Sequence, residues 1–204
     1  MQPWIEPGAG DDLPGYARRM AAVIEARVDR RRRLLLGGSS FGGMLALEVA
    51  RILRPDGVVL IGSCRDLRGV RPSLAALLPI APRVPLVAHR LFARLGWWAS
   101  FAFGARDDDD RRLFAAMLRS SPPRRVQWAC GAMAGWRPLP LPGVPVFALH
   151  GGDDRLLPAE RARSSDPEVV VVAGAGHLLP LTHPEPTNAF LRSVLLRSAA
   201  RAPD

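Results

Sequence analysis

The stretch "LLLGGSSFGG" (residues 34–43) decides how this chain folds. Three leucines stopped by glycine make a short continuous apolar run, which predicts a strand buried on both faces of a parallel sheet. The following "FGGMLALEVARIL" (41–53) carries Met44, Leu45, Leu47, Val49, Ile52 and Leu53 on a helical period, and Pro55 ends it. Strand therefore passes directly into helix. The turn between them reads Gly38-Ser39-Ser40-Phe41-Gly42, a G-x-S-x-G pattern. In that setting the central serine takes a strained backbone conformation, and only residues without side chains fit beside it. Ser40 Oγ is expected at the carboxyl end of the strand, with the Phe41 N–H at the helix N-terminus, aimed at a developing oxyanion. Ser39 fails the pattern, because the residue two positions on is Phe41. The competing reading is a Gly/Ser turn that binds phosphate, but no Gly-Lys-Ser/Thr ending and no G-x-G-x-x-G supports a nucleotide cradle.

Outward from this turn, Leu13, Tyr16, Ala17, Met20, Val23, Ile24 and Val28 recur at helical spacing, with Asp11 or Asp12 placed to cap the start. "PDG" (55–57) marks a turn and "VVLIGS" (58–63) a second buried strand. From Arg65 to Trp136 no strand signal appears; proline and arginine punctuate apolar helical pieces. Alternation resumes with a strand in "VPVFALH" (144–150), a helix near 158–164, a strand in "EVVVVAG" (168–174) and a helix from about Pro184 to Ala199. Thr182 and Glu185 predict a capping box for that last helix. Strands alternating with helices predict an α/β fold, a mostly parallel sheet flanked by helices. The expected organisation is a core of residues 1–64 and 137–204, with 65–136 as a helical insertion.

Composition bounds the function more loosely. At 204 residues and 48% hydrophobic content, one soluble domain is the expectation. A net charge of +9 raises nucleic acid as a partner. Yet every basic residue is arginine, and apart from "RRRR" (30–33) they are scattered without interleaved aromatics. A solvated basic surface, and no nucleic-acid partner, is the reading. No apolar run reaches the length of a membrane span, so no stable membrane insertion is expected. The N-terminus shows no signal-peptide pattern, and Cys64 and Cys130 suit reduced thiols, so a cytoplasmic location is expected.

A nucleophilic serine needs a base, and the base needs an orienting carboxylate. Of four histidines, His89 falls in the helical insertion, His150 ends a strand where its ring braces the next turn, and His183 follows the expected cap Thr182. His177, in the glycine-rich "GAGHLLP" after the last strand, shares a sheet edge with the serine turn and is the best base. "HGGDDRLLP" (150–158) holds Asp153 and Asp154; its spacing selects Asp154 and leaves Asp153 to the turn. The order is serine, acid, histidine, each just after an expected strand.

At this point the chain resembles the α/β-hydrolase superfamily. "GGSSFGGMLALEVAR" is similar to its nucleophile elbow, "VFALHGGDDRLLP" to its acid loop and "VVAGAGHLLPLTHPE" to its histidine loop. More narrowly, "WIEP…LPGYARRMAAVIEA" and "RVQWACGAMAGW" resemble small bacterial members with a short helical lid. The resemblance implies Ser40 as nucleophile, His177 as general base then acid, Asp154 as its orienter and the Phe41 N–H as one oxyanion donor. It implies a small-molecule acyl substrate, ester or thioester, and neither metal nor organic cofactor. "LALEVARIL" also resembles thioesterases.

One departure stands at the front. Family members precede the "WIEP"-like segment with a strand and a glycine-bearing loop that gives a second oxyanion N–H, and neither fits before Trp4. The expectation is an exposed edge or gap beside the serine strand, in a chain that is either N-terminally shortened or a non-catalytic binding protein. Residues 65–136 would form the lid, with "LGWWASFAF" (95–103) and the leucine-rich pieces lining an apolar pocket or packing on one another. "DDDD" (107–110) reads as helix capping, since four adjacent carboxylates do not resemble a calcium loop.

Overall fold

The protein is described from a computed structural model over residues 4–166 and 168–200. Residues before Trp4, where the missing strand and loop were sought, lie outside the described residues. Four parallel strands form the sheet: β1 (Leu35–Ser39), β2 (Gly57–Ile61), β3 (Val146–Gly151) and β4 (Val170–Val172), neighbours in chain order. Register runs Gly38 opposite Leu60, Leu60 opposite Ala148 and His150 opposite Val171.

Every residue of β2 is buried, as a continuous apolar run requires. Successive side chains on a strand point to opposite faces, and the core divides accordingly. Val58 and Leu60 join a cluster with Leu36, Ala148 and the helices α1 (Leu13–Glu25) and α2 (Phe41–Leu53). Val59 and Ile61 join Leu149, Leu179, Phe190 and Val194 on the other face. Those last residues come from α9 (Leu179–Thr182) and α10 (Pro184–Ala200), so the sheet is sandwiched between helical layers. The α/β fold with a mostly parallel, helix-flanked sheet is as the sequence predicts.

Between β2 and β3 the chain is helical. Its elements are α3 (Pro72–Leu77), α4 (Leu86–Arg94), α5 (Gly96–Ala99), α6 (Asp108–Ser120) and α7 (Pro123–Gly135). Asp107 caps α6 by accepting from Asp110 N–H at 2.9 Å, and Asp108 and Asp109 pair with Arg111 and Arg112, so the acidic run serves the helix start. Trp128 of α7 donates to Asp11 O at 2.8 Å, and Trp136 donates from within the core to buried Glu48 of α2, also at 2.8 Å. These two indoles tie the end of the helical segment to both core helices on that face.

Several boundaries differ from the sequence reading. α1 ends at Glu25 rather than Val28, although Asp12 caps it as expected, accepting from Gly15 N–H at 2.7 Å. Only three of the seven residues in "EVVVVAG" pair as β4, whose outer side has no partner strand among the described residues and whose Val170 is exposed. The helix expected near 158–164 is present as α8 (Ala159–Ser165). Thr182 does not cap α10: its hydroxyl donates to Leu178 O at 3.1 Å within α9. The first α10 hydrogen bond instead runs from Thr187 N–H to His183 O, with Pro184 just inside the helix, where its missing N–H costs nothing.

Candidate active site

Ser40 sits between β1 and α2 with φ 52° and ψ −125°, a conformation L-residues rarely adopt. Its N–H donates to Ile61 O at 3.0 Å, and its carbonyl accepts from Gly43 N–H at 3.0 Å and Ser63 Oγ at 2.7 Å. The turn is thus fixed from both strand and helix sides. A Cβ on Gly38 would lie 2.2 Å from the Gly42 carbonyl carbon, and one on Gly43 would lie 2.5 Å from Ser63 Oγ. Gly42, by contrast, has open space where a Cβ would go. The requirement for bare residues therefore falls on Gly38 and Gly43, and the last glycine of G-x-S-x-G is not sterically demanded.

The loops after β3 and β4 bring Asp154 and His177 to the same end of the sheet. His177 Nε2 lies 2.8 Å from Ser40 Oγ, and His177 Nδ1 lies 2.7 Å from Asp154 Oδ2. A carboxylate can only accept, so Nδ1 carries the ring proton and Nε2 is left to accept from the serine hydroxyl. Asp154 Oδ1 accepts from Leu156 and Leu157 N–H at 2.8 and 2.9 Å. Burial pushes the Asp154 carboxyl up, but the hydrogen bond and charge of His177 and these two N–H groups outweigh it. The result lies below the ordinary aspartate value. Asp154 and His177 are both buried, whereas Ser40 is partly open.

The other sequence candidates fall elsewhere. His150 Nε2 donates to Leu157 O at 2.5 Å, bracing the Asp154 turn as its position at the end of a strand suggested. His89 Nε2 lies 3.3 Å from Ala81 O within the helical segment, and His183 Nδ1 lies 2.9 Å from Thr182 Oγ1. Cys64 is buried and its thiol is pushed up to about 12, so it stays protonated. Ser63 is the site residue that sequence reasoning missed. Its only signal is its place at the end of the "VVLIGS" run, beside the serine strand.

Phe41 is the first residue of α2, where backbone N–H groups lack intrahelical partners. Its ring stacks on Trp4 at 5.8 Å and meets Trp128 edge-on at 5.6 Å. A hollow of about 430 Å³ opens there, lined by Trp4, Phe41, Arg125, Val126 and Trp128. It adjoins, through Ser121 and Val126, a larger cavity of about 660 Å³ between α4, α6 and α7, lined by Val84, Ala88, Phe92, Leu118 and Val126 among others. None of residues 95–103 lines either hollow, so "LGWWASFAF" does not build the apolar cavity. Instead Phe103 packs on Phe114 and edge-on to the His177 ring, and Leu178 N–H donates to Phe103 O at 3.1 Å.

β1 is an edge strand among the described residues. Because Ser40 N–H points to β2, alternation turns the amides of Leu35, Gly37 and Ser39 outward, and Gly37 and Ser39 are exposed.

Comparison with solved structures gives the same architecture. A thermophilic esterase from Thermogutta terrifontis superposes with a TM-score of 0.73 at 23% identity, over 95% of this chain and 75% of that one. A hydrolase from Pseudomonas aeruginosa gives 0.68 at 17% identity, covering 93% and 74%. The 2-hydroxy-6-oxo-6-phenylhexa-2,4-dienoate hydrolase of a Rhodococcus strain gives 0.61 at 18% identity, covering 94% and 73%. No curated protein sequence matches significantly. The model of the alpha/beta hydrolase family matches residues 6–190, and to that family the chain belongs.

Proposed function

We propose that the protein is a serine hydrolase that cleaves an ester or related acyl bond through an acyl-enzyme on Ser40. The observation that carries this reading is the continuous chain of hydrogen bonds from Ser40 Oγ through the His177 ring to Asp154. In the first step Ser40 Oγ attacks the acyl carbon while His177 Nε2 takes the hydroxyl proton, then delivers it to the leaving oxygen or sulfur. Water enters by the same route in reverse and releases the acid. Asp154 stays ionised and holds the ring in the tautomer that accepts from serine. The Phe41 N–H supplies one donor to the oxyanion. Residues 65–136 act as the lid, and the adjoining hollows beside Phe41 take the apolar acyl portion, ester or thioester.

A second reading, a binding protein of the same fold without turnover, is favoured by the free edge of β1, from which no neighbouring strand supplies a second oxyanion donor among the described residues. Intact-mass analysis after incubation with a fluorophosphonate separates the two. A single adduct that Ser40→Ala abolishes is the expected result, and p-nitrophenyl esters of graded acyl length then report the pocket. Folded protein that takes up no adduct would establish the binding reading instead.

A further inference from the structure

Most of the large apolar side chains left exposed among the described residues lie between Leu77 and Met117. Those of α4 and α5 are ordered. Val87, Leu91, Leu95 and Trp98 recur at intervals of four, four and three residues, which places them along one stripe of the helix pair. Val87 is 71% and Trp98 69% exposed, far beyond what isolated surface apolar residues need. Arg90 and Arg94 are exposed beside them, at the rim of the larger cavity that they help to line. Residues 67–106 contain six arginines (Arg68, Arg71, Arg83, Arg90, Arg94 and Arg106) and no aspartate or glutamate.

An apolar stripe with an indole, with Arg90 and Arg94 on its own helix and the carboxylates of Asp108 and Asp109 on α6 paired to Arg111 and Arg112, suits one kind of partner. We propose that the outer face of α4 and α5 docks on an anionic lipid surface, lying in the interface without crossing it. Leucine, valine and tryptophan would enter the headgroup boundary while the arginine stems reach lipid phosphates. A second copy fits poorly, since two-fold pairing would set Arg90 and Arg94 of each copy against one another in a chain of net charge +9. None of the described helices is long and apolar enough to span a bilayer, which agrees with peripheral attachment. The inner face of α4 meanwhile lines the larger cavity through Ala88, Phe92 and Ala93. Docking would therefore bring lipid-dissolved acyl compounds close to that cavity, a consequence that rests on the hydrolase reading, whereas docking itself does not.

Vesicle co-sedimentation of the full chain tests this, using phosphatidylcholine alone and with about 30 mol% phosphatidylglycerol. Wild-type protein is expected to bind the anionic vesicles at least about tenfold more tightly than the neutral ones, and to weaken at about 0.5 M salt. Leu91→Glu with Trp98→Glu, and separately Arg90→Glu with Arg94→Glu, should each lower that binding about tenfold or more. All four positions are exposed, and unchanged thermal melts would certify folding. Wild-type protein that stays in the supernatant with anionic vesicles would overturn the proposal, as would variants that bind like wild type. A concentration-dependent dimer abolished by the Leu91 and Trp98 changes would assign the face to a second copy and overturn it equally. Fluorophosphonate labelling of the same samples reports Ser40 separately, so loss of docking and loss of chemistry are read apart.

Discussion

In the hydrolysis we propose, the single carboxylate of Asp154 would serve both rate and stability. With Asp154→Asn, the side chain can donate from nitrogen to His177 Nδ1 and favour the wrong ring tautomer. Hydrolysis, kcat/KM for a p-nitrophenyl ester, should fall about 10⁴-fold while the fold is retained. Its lowered pKa also has a sign for stability. A carboxyl more acidic folded than unfolded stabilises the native state above the unfolded value near 4, and that contribution is lost as pH falls through the folded value. Urea midpoints should therefore drop more steeply below about pH 4 for wild type than for Asp154→Asn. Ser63 works through another residue, fixing the Ser40 carbonyl; Ser63→Ala should cost about 1 kcal/mol in denaturant unfolding. Ser40, Asp154 and His177 were legible because each follows an apolar run that marks a strand end. Ser63 was not, since a serine hydroxyl bonded to a backbone carbonyl leaves no pattern in sequence.

At the scale of elements, the β1-to-α2 turn brings two backbones together at Gly38, where a Cβ would lie 2.2 Å from the Gly42 carbonyl carbon. Gly38→Ala would drive a methyl into the Gly42 backbone, which flexible side-chain movement cannot relieve, and should cost more than about 3 kcal/mol or prevent folding. Gly42→Ala meets nothing and lies inside a helix, so it should raise stability by about 0.5–1 kcal/mol in the same melts. Strands β1, β2 and β3 were legible as apolar runs between turn signals, but β1, expected to be buried on both faces, is an edge strand among the described residues and buries only Leu36. β4 was less so, because composition alone does not say where an edge strand stops pairing. The Thr182–Glu185 pattern misled because α9 precedes α10 almost without a break, and the threonine hydroxyl is already used within α9. The aromatic run at 95–103 was read either as pocket wall or as residues packing on one another, and the second holds: Trp98 stacks on Phe101 and Phe103 packs on Phe114 and the histidine loop.

For the whole molecule, charge and core are spatially separate matters: the arginines crowd the surface while two apolar clusters hold the sheet between helices. Fold class was legible from alternation, but the juxtaposition of α4, α6 and α7 around a cavity was not, because helical periodicity shows which face is apolar and not what it faces. The strand order, which follows the chain, has a further effect on how the candidate site is assembled. β1, α2 and β2 assemble from neighbouring sequence, and so do β3 and β4, but joining β2 to β3 requires closing the long segment 62–145. Ser40 belongs to the first half; Asp154 and His177 belong to the second. During synthesis Ser40 leaves the ribosome long before Asp154 and His177, so a nascent chain lacks the three-residue hydrogen-bond chain until the two halves meet.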